Sequence, residues 1–153
     1  MSSASRSHLE SIFRAGLRRA DPYNMLAQHL RLEGSHLVIA FESCRQTVDL
    51  GAFDRILLLG AGKAAASMAR AVEDILGPRL AGGLISTKYG HSGALRVVEQ
   101  IEAGHPIPDE NSLLAARRMQ TLARTFDART LVITVISGGG SAPLDGLLSY
   151  QDG

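Results

Sequence analysis

Apolar side chains at Leu9, Ile12, Phe13 and Leu17 fall on one face at helical spacing, so the chain opens with an amphipathic helix. "DPYNMLAQHLRLEG" reads as a second helix: Asp21 is placed to cap it, Pro22 suits the first helical position and Gly34 the exit. "SHLVIAF" then reads as a short strand, followed by an unassigned stretch to Gly51. From Asp54 the pattern switches to alternating strands and helices. "RILLLG" is a continuous apolar run ending in glycine, the mark of a strand buried on both faces. "KAAASMARAVEDILG" follows with strong helix formers, and Ala65, Met68, Ala69, Val72, Ile75 and Leu76 share a face before Gly77-Pro78. "GGLISTKYG" and "LRVVEQIEAG" read as extended. Asp109 then caps "ENSLLAARRMQTLARTF", where Leu113, Ala116, Met119, Ala123 and Phe126 form a stripe. "TLVITVISGGGSA" is a β-branched strand running into three glycines.

This order predicts an α/β fold: a Rossmann-like open, mainly parallel sheet, incomplete, with amino-terminal helices packed on it. Residues 1–50 are expected to form an amino-terminal helical layer of the same domain, and 51–153 the Rossmann-like region. There is no linker, repeat or low-complexity tract. Ligands of such sheets bind beyond the carboxyl ends of the strands, where Gly60-Ala61-Gly62-Lys63 and Ser137-Gly138-Gly139-Gly140-Ser141 both fall.

Composition narrows the chemistry. At 153 residues, 45% hydrophobic and 20% charged, the chain has the make-up of a soluble globular protein. A net charge of +1 gives no general attraction to nucleic acid or acidic membranes, and 5% aromatic content leaves little to stack on bases. No nucleic-acid or membrane partner is expected. Cys44, the single cysteine, forms no internal disulfide and suits a reducing cytoplasm. The five histidines show no metal-ligand spacing, so no metal-binding residue is assigned. No apolar run approaches the roughly 20 residues of a membrane span. The serine- and arginine-bearing start lacks acids until Glu10, as transit peptides do, but its helical spacing favours a folded amphipathic helix.

The glycine turns admit three chemistries. Gly60, Gly62 and Ala65 satisfy the dinucleotide spacing, yet the following strand ends "ISTKYG" without the acid that would hold a ribose; Lys88 suits only a 2′-phosphate. A nucleoside-triphosphate phosphate loop fails, because Leu57 stands where its first glycine belongs and Ala64 follows Lys63. The third is an anion site. Lys63 begins a helix, where its charge opposes the dipole at a cost of about 0.3–1 kcal/mol, the kind of local conflict found at functional residues. Ser137 to Ser141 offer backbone N–H groups and hydroxyls for an oxyanion. In "EAGHPIPDENS", His105 and Asp109 are possible site-lining residues; Asp109 is most simply a helix cap.

"LLLGAGKAAASMA", "GGLISTKYGH", "EAGHPIPDENS" and "LVITVISGGGSA", in this order, resemble the glycerate 2-kinase family, whose carboxyl-terminal part is the MOFRL domain. The resemblance covers most of residues 8–142. It implies transfer of the ATP γ-phosphoryl group to the 2-hydroxyl of D-glycerate, giving 2-phosphoglycerate, with ATP and Mg²⁺ as cofactors. It implies that Lys63 is the catalytic lysine and that Gly60, Gly62, Lys63, Ser137, Gly138, Gly139, Gly140 and Ser141 bind substrate or phosphate. Family members continue well beyond the triple glycine. A second domain or complementary chain is therefore expected to be missing, the isolated piece to have little activity, and "TLVITVI" to be left with an uncovered edge. Some relatives are labelled hydroxypyruvate reductase. An NAD(P)H-dependent reductase and a non-catalytic remnant or interaction module are the alternatives.

Overall fold

The computed structural model describes residues 3–138. Two helices, α1 (Ser3–Ala20) and α2 (Pro22–His29), lead into β1 (Leu30–Glu33), β2 (His36–Phe41) and β3 (Cys44–Asp49). The second half holds β4 (Arg55–Ala61), α3 (Ala65–Leu76), β5 (Gly82–Lys88), β6 (Val98–Ala103), α4 (Glu110–Ala123) and β7 (Thr130–Ile136).

The second sheet runs β6-β5-β4-β7, and all three pairings are parallel. The chain is thus an α/β protein with an incomplete Rossmann-like parallel sheet, as its strand–helix rhythm predicts. Leu58 and Ile85, both fully buried, meet Ala65, Ala69, Val72 and Leu76 of α3, and this layer forms the core. Small alanines on α3 let the helix sit close to the sheet, and β-branched and leucine side chains fill the gap.

The expected amino-terminal helices are present, but residues 30–49 hold more strand than expected. β1, β2 and β3 form a separate antiparallel sheet in the order β1-β2-β3. The helix expected over "DPYNMLAQHLRLEG" therefore ends at His29, and Leu30–Glu33 is strand. Helical and strand spacing overlap there: Leu30 and Leu32 alternate with Arg31 and Glu33, and pairing with β2 decides between the two. The Asp21 cap is present, its side chain accepting a bond from the Asn24 N–H at 2.8 Å. α2 packs against α3, and α1 against α2. The apolar stripe of α1 faces outward, with Leu9, Ile12, Phe13 and Leu17 between 55% and 69% exposed.

The stripe of α4 is also rotated from the expected one. Ser112, Ala115, Ala116 and Met119 are buried, whereas Leu113 is exposed and Phe126 lies past the helix end. Among the described residues, β7 pairs only with β4, and its Ile136 is 63% exposed. An apolar groove of about 260 Å³ lies beside it, lined by Leu59, Met119, Ala123, Thr134 and Ile136.

The β5-to-β6 connection makes its crossover without a helix. Residues 89–97, a turn, an irregular stretch and a bend, run along the α3 side and are pinned by side chains. Gly93 exchanges two hydrogen bonds with the Gln100 amide, Glu102 accepts from the Gly90 N–H at 2.7 Å, and Glu73 of α3 accepts from the N–H groups of Arg96, Val97 and Val98. Glu73 is only 1% exposed.

Candidate functional site

β4 and β7 deliver their turns side by side. Ala61 pairs with Ile136 in the sheet, and the Ser137 N–H donates to the Ala61 carbonyl at 3.1 Å. Gly62 has φ +109°, and a Cβ there would stand 2.3 Å from Ser137 Oγ. Gly60 has a similar constraint, since its Cβ would lie 2.6 Å from a Val135 methyl. Internal packing therefore already demands both glycines. Ser137 Oγ accepts from the Ala64 N–H at 3.1 Å, so a hydroxyl from β7 caps α3, whose own cap residue Ala64 has none.

The donors of this turn are largely committed. Gly62 N–H donates to the Ser86 carbonyl and Ala65 N–H to the Gly62 carbonyl, both at 3.0 Å. Together with the Ala64 N–H, these groups are therefore not free for an anion. Lys63 is exposed and makes no hydrogen bond or ion pair with any other described residue.

Lys63 opens onto a cleft of about 520 Å³ between α3, the start of α2 and the 91–94 segment. One wall is Lys63, just ahead of α3, with Ser67 and Arg70 on the helix; opposite stand His91, Ser92 and Gly93; Asp21, Tyr23 and Asn24 close one end. The Arg70 guanidinium lies 5.3 Å from the centre of the Tyr23 ring, within cation–π range. Asp74 accepts from the Tyr23 hydroxyl at 2.9 Å and from Arg96 at 2.8 Å, and these donors hold its carboxyl below the ordinary carboxylate range.

The structure brings Lys63 and Ser137 to one rim, with Gly138 next to Ser137. Gly139, Gly140 and Ser141 lie outside the described residues. His105 and Asp109 do not line the cleft. Asp109 is occupied as the cap of α4: it accepts from Ser112 N–H at 3.0 Å and from the Tyr89 hydroxyl at 2.7 Å. The Tyr89 hydroxyl first, then the Gly104 N–H and Ser112, pull the Asp109 pKa from 3.8 to about 2 against the opposing effect of burial.

Sequence reasoning missed three residues of this region. Ser67 and Arg70 follow Lys63 at helical spacing, a signal present in the sequence. Glu73 lies in the buried row Ala66, Ala69, Glu73, Leu76, a carboxylate among apolar positions. Burial alone would raise its pKa. The Val97, Val98 and Arg96 N–H groups and the Arg96 charge outweigh that and hold it below its ordinary 4.5.

No group of three His, Cys, Asp or Glu side chains among the described residues is arranged to hold a metal ion. These residues therefore do not form a metal site of their own. Uncommitted Lys63 and weakly paired Arg70 do suit the phosphates of a nucleotide or an acidic substrate. No described helix is long and apolar enough to cross a membrane.

The family model for a domain of unknown function, DUF4147, matches residues 8–148. A D-glycerate 2-kinase of Thermotoga maritima is 36% identical over 134 residues, covering 83% of this chain and 32% of that protein. A glycerate 2-kinase of Pyrococcus horikoshii is 35% identical over 126 residues, covering 82% of this chain and 27% of that protein. A solved structure of a P. horikoshii protein superimposes with a TM-score of 0.77 at 32% identity, covering 93% of this chain and 30% of that one. The chain thus spans about a third of the length of these relatives. It belongs to the DUF4147 family, and the proteins it is similar to include glycerate 2-kinases and, at 43% identity over 93 residues, a putative hydroxypyruvate reductase of Agrobacterium vitis.

Proposed function

We propose that this chain serves the ATP-dependent phosphorylation of D-glycerate at its 2-hydroxyl. The glycerate 2-oxygen bonds to the γ-phosphorus, the bond from phosphorus to the β–γ bridging oxygen breaks, ADP leaves, and the hydroxyl proton passes to solvent. Phosphoryl transfer asks a protein mainly for positioning and for cancellation of charge. Lys63 supplies the charge at the rim, either on the transferring group or on glycerate. Ser137 fixes the start of α3 and so fixes where Lys63 emerges. Gly60 and Gly62 act through that packing, and Gly138 to Ser141 are the proposed second contact for an anionic group. His105 and Asp109 are left as supports of the neighbouring loop. Mg²⁺ would be carried by the nucleotide phosphates and would neutralise part of their charge.

The observation that carries this reading is Lys63, unpaired among the described residues, at the mouth of a polar cleft in a chain similar to two glycerate 2-kinases. Its setting is proposed to be the cytoplasm, and the remainder of the active site to come from a further domain or a complementary chain. β5 ends in Ser86, Thr87 and Lys88, with no carboxylate for a ribose, which counts against a nicotinamide cofactor.

Calorimetric titration of the chain with ATP, NADPH and D-glycerate tests the reading. Weak binding of ATP and of glycerate is expected, both reduced in Lys63→Met, with little turnover by the chain alone. Saturable NADPH binding with hydroxypyruvate-dependent oxidation of that cofactor overturns it.

A further inference from the structure

Arg70 lies in the second turn of α3, and Lys63 stands just ahead of the helix, before its cap residue Ala64. Both long side chains line the same cleft, with Ser67 between them. The nearest carboxylate to Arg70 is Asp74, 4.0 Å from its Nε and already served by Tyr23 and Arg96. Tyr23 supports the guanidinium from one side without using its N–H donors. Asp21, the carboxylate lining the cleft, directs Oδ1 at the Asn24 N–H as a helix cap. The facing wall is built to stay in place. His91 N–H donates to the Lys88 carbonyl at 3.0 Å, and Gly93 is clamped by Gln100.

Resting on the function proposed above, we infer that this cleft is the subsite for a small 2-hydroxy acid and its phosphorylated form, and that Arg70 binds the carboxylate. A guanidinium offers a planar fork that fits a carboxylate with two parallel bonds, whereas a lysine is a point charge suited to a phosphoryl group. The arrangement assigns the two ends of the ligand: carboxylate at Arg70, with Ser67 and Ser92 as hydroxyl partners, and phosphoryl oxygens at Lys63. Two cations flanking the ligand also select for acids over neutral alcohols of the same size.

The test uses the chain without nucleotide. Amide ¹H–¹⁵N spectra are recorded during titration with 2-phosphoglycerate, D-glycerate and inorganic phosphate, for the wild type, Arg70→Gln and Arg70→Lys. Expected are shifts at Ser67, Arg70 and residues 91–94. Arg70→Gln should weaken 2-phosphoglycerate and D-glycerate at least about tenfold, the scale of one lost charged hydrogen-bonding partner. Inorganic phosphate, lacking a carboxylate, should weaken by less. Arg70→Lys keeps the charge and should still lose affinity for the two carboxylates; it carries the test where the glutamine variant fails to fold. Absence of shifts in the cleft, or unchanged affinity in a folded Arg70 variant, overturns the inference. The kinase proposal is decided separately by the ATP and NADPH titrations. Anion binding in the cleft with NADPH as cofactor would leave this subsite and remove that proposal.

Discussion

Replacing Glu73 by Gln tests how the cleft wall is held. Oε1 accepts from Val97 and Val98 N–H, both at 2.9 Å, while Oε2 accepts from Arg96 N–H at 2.8 Å. A glutamine keeping its carbonyl at the Oε1 position retains the first two bonds as neutral ones, at a loss of about 1 kcal/mol each. Its NH₂ then faces the Arg96 N–H, leaving a donor against a donor for about 1–3 kcal/mol more. The sum, about 3–5 kcal/mol, is a large share of the 5–15 kcal/mol typical of a domain. Urea unfolding at pH 7, followed by circular dichroism, reads it directly. The acid limb gives a second signature. The folded pKa of Glu73 lies below 4.5, so its contribution is complete above 4.5 and is lost as pH falls through the folded value. The gap between wild type and variant must therefore close at low pH and stay constant above about pH 6. A Glu73→Gln protein within about 1 kcal/mol of wild type at pH 7 would refute the role given to this carboxylate.

Three more outcomes are expected. Gly62→Ala should cost more than 2 kcal/mol, roughly, and Ser137→Ala should not rescue it: φ is +109° and the Ser137 carbonyl oxygen lies 2.9 Å from the new Cβ; full rescue in denaturant melts would contradict this. Ser137→Ala alone should lose about 1 kcal/mol, the usual worth of a helix cap, by the same measurement. The Asp109 pKa is lowered from 3.8 to about 2, so its stabilisation is present above 3.8 and fades as pH falls through about 2. Thermal melts between pH 2 and 5 should show a shallower acid limb in Asp109→Asn.

The parallel sheet was legible because "RILLLG" and "TLVITVI" are apolar on both faces, a pattern that only a doubly covered strand requires. The Asp21 and Asp109 caps were legible because a cap is a local feature, decided within three residues. β3 was not: five of its six residues are exposed, so no apolar run marks it, and only its pairing with β2 makes it a strand. The rotation of the α4 stripe, which turned Leu113 outward, depends on the sheet beneath it and has no local signal. At the candidate site, the adjacency of the turns after β4 and β7 was readable from glycines after parallel strands. The glycines themselves proved to answer to Ser137 and Val135. Arg70 and Glu73 required the 91–98 segment to be seen lying across α3, a contact made by residues more than twenty positions away.

The helix-free crossover also acts as a ruler. From Lys88 to Val98 ten steps of extended chain reach about 33 Å. Val98 pairs opposite Gly83, so the direct return along β5 takes about 17 Å of that reach. The remainder is spent climbing to Glu73 and coming back. Removing two residues from this segment would shorten it by nearly 7 Å, roughly two fifths of the length left for the detour. Most surface loops absorb such deletions; here the binding wall would detach before the sheet did.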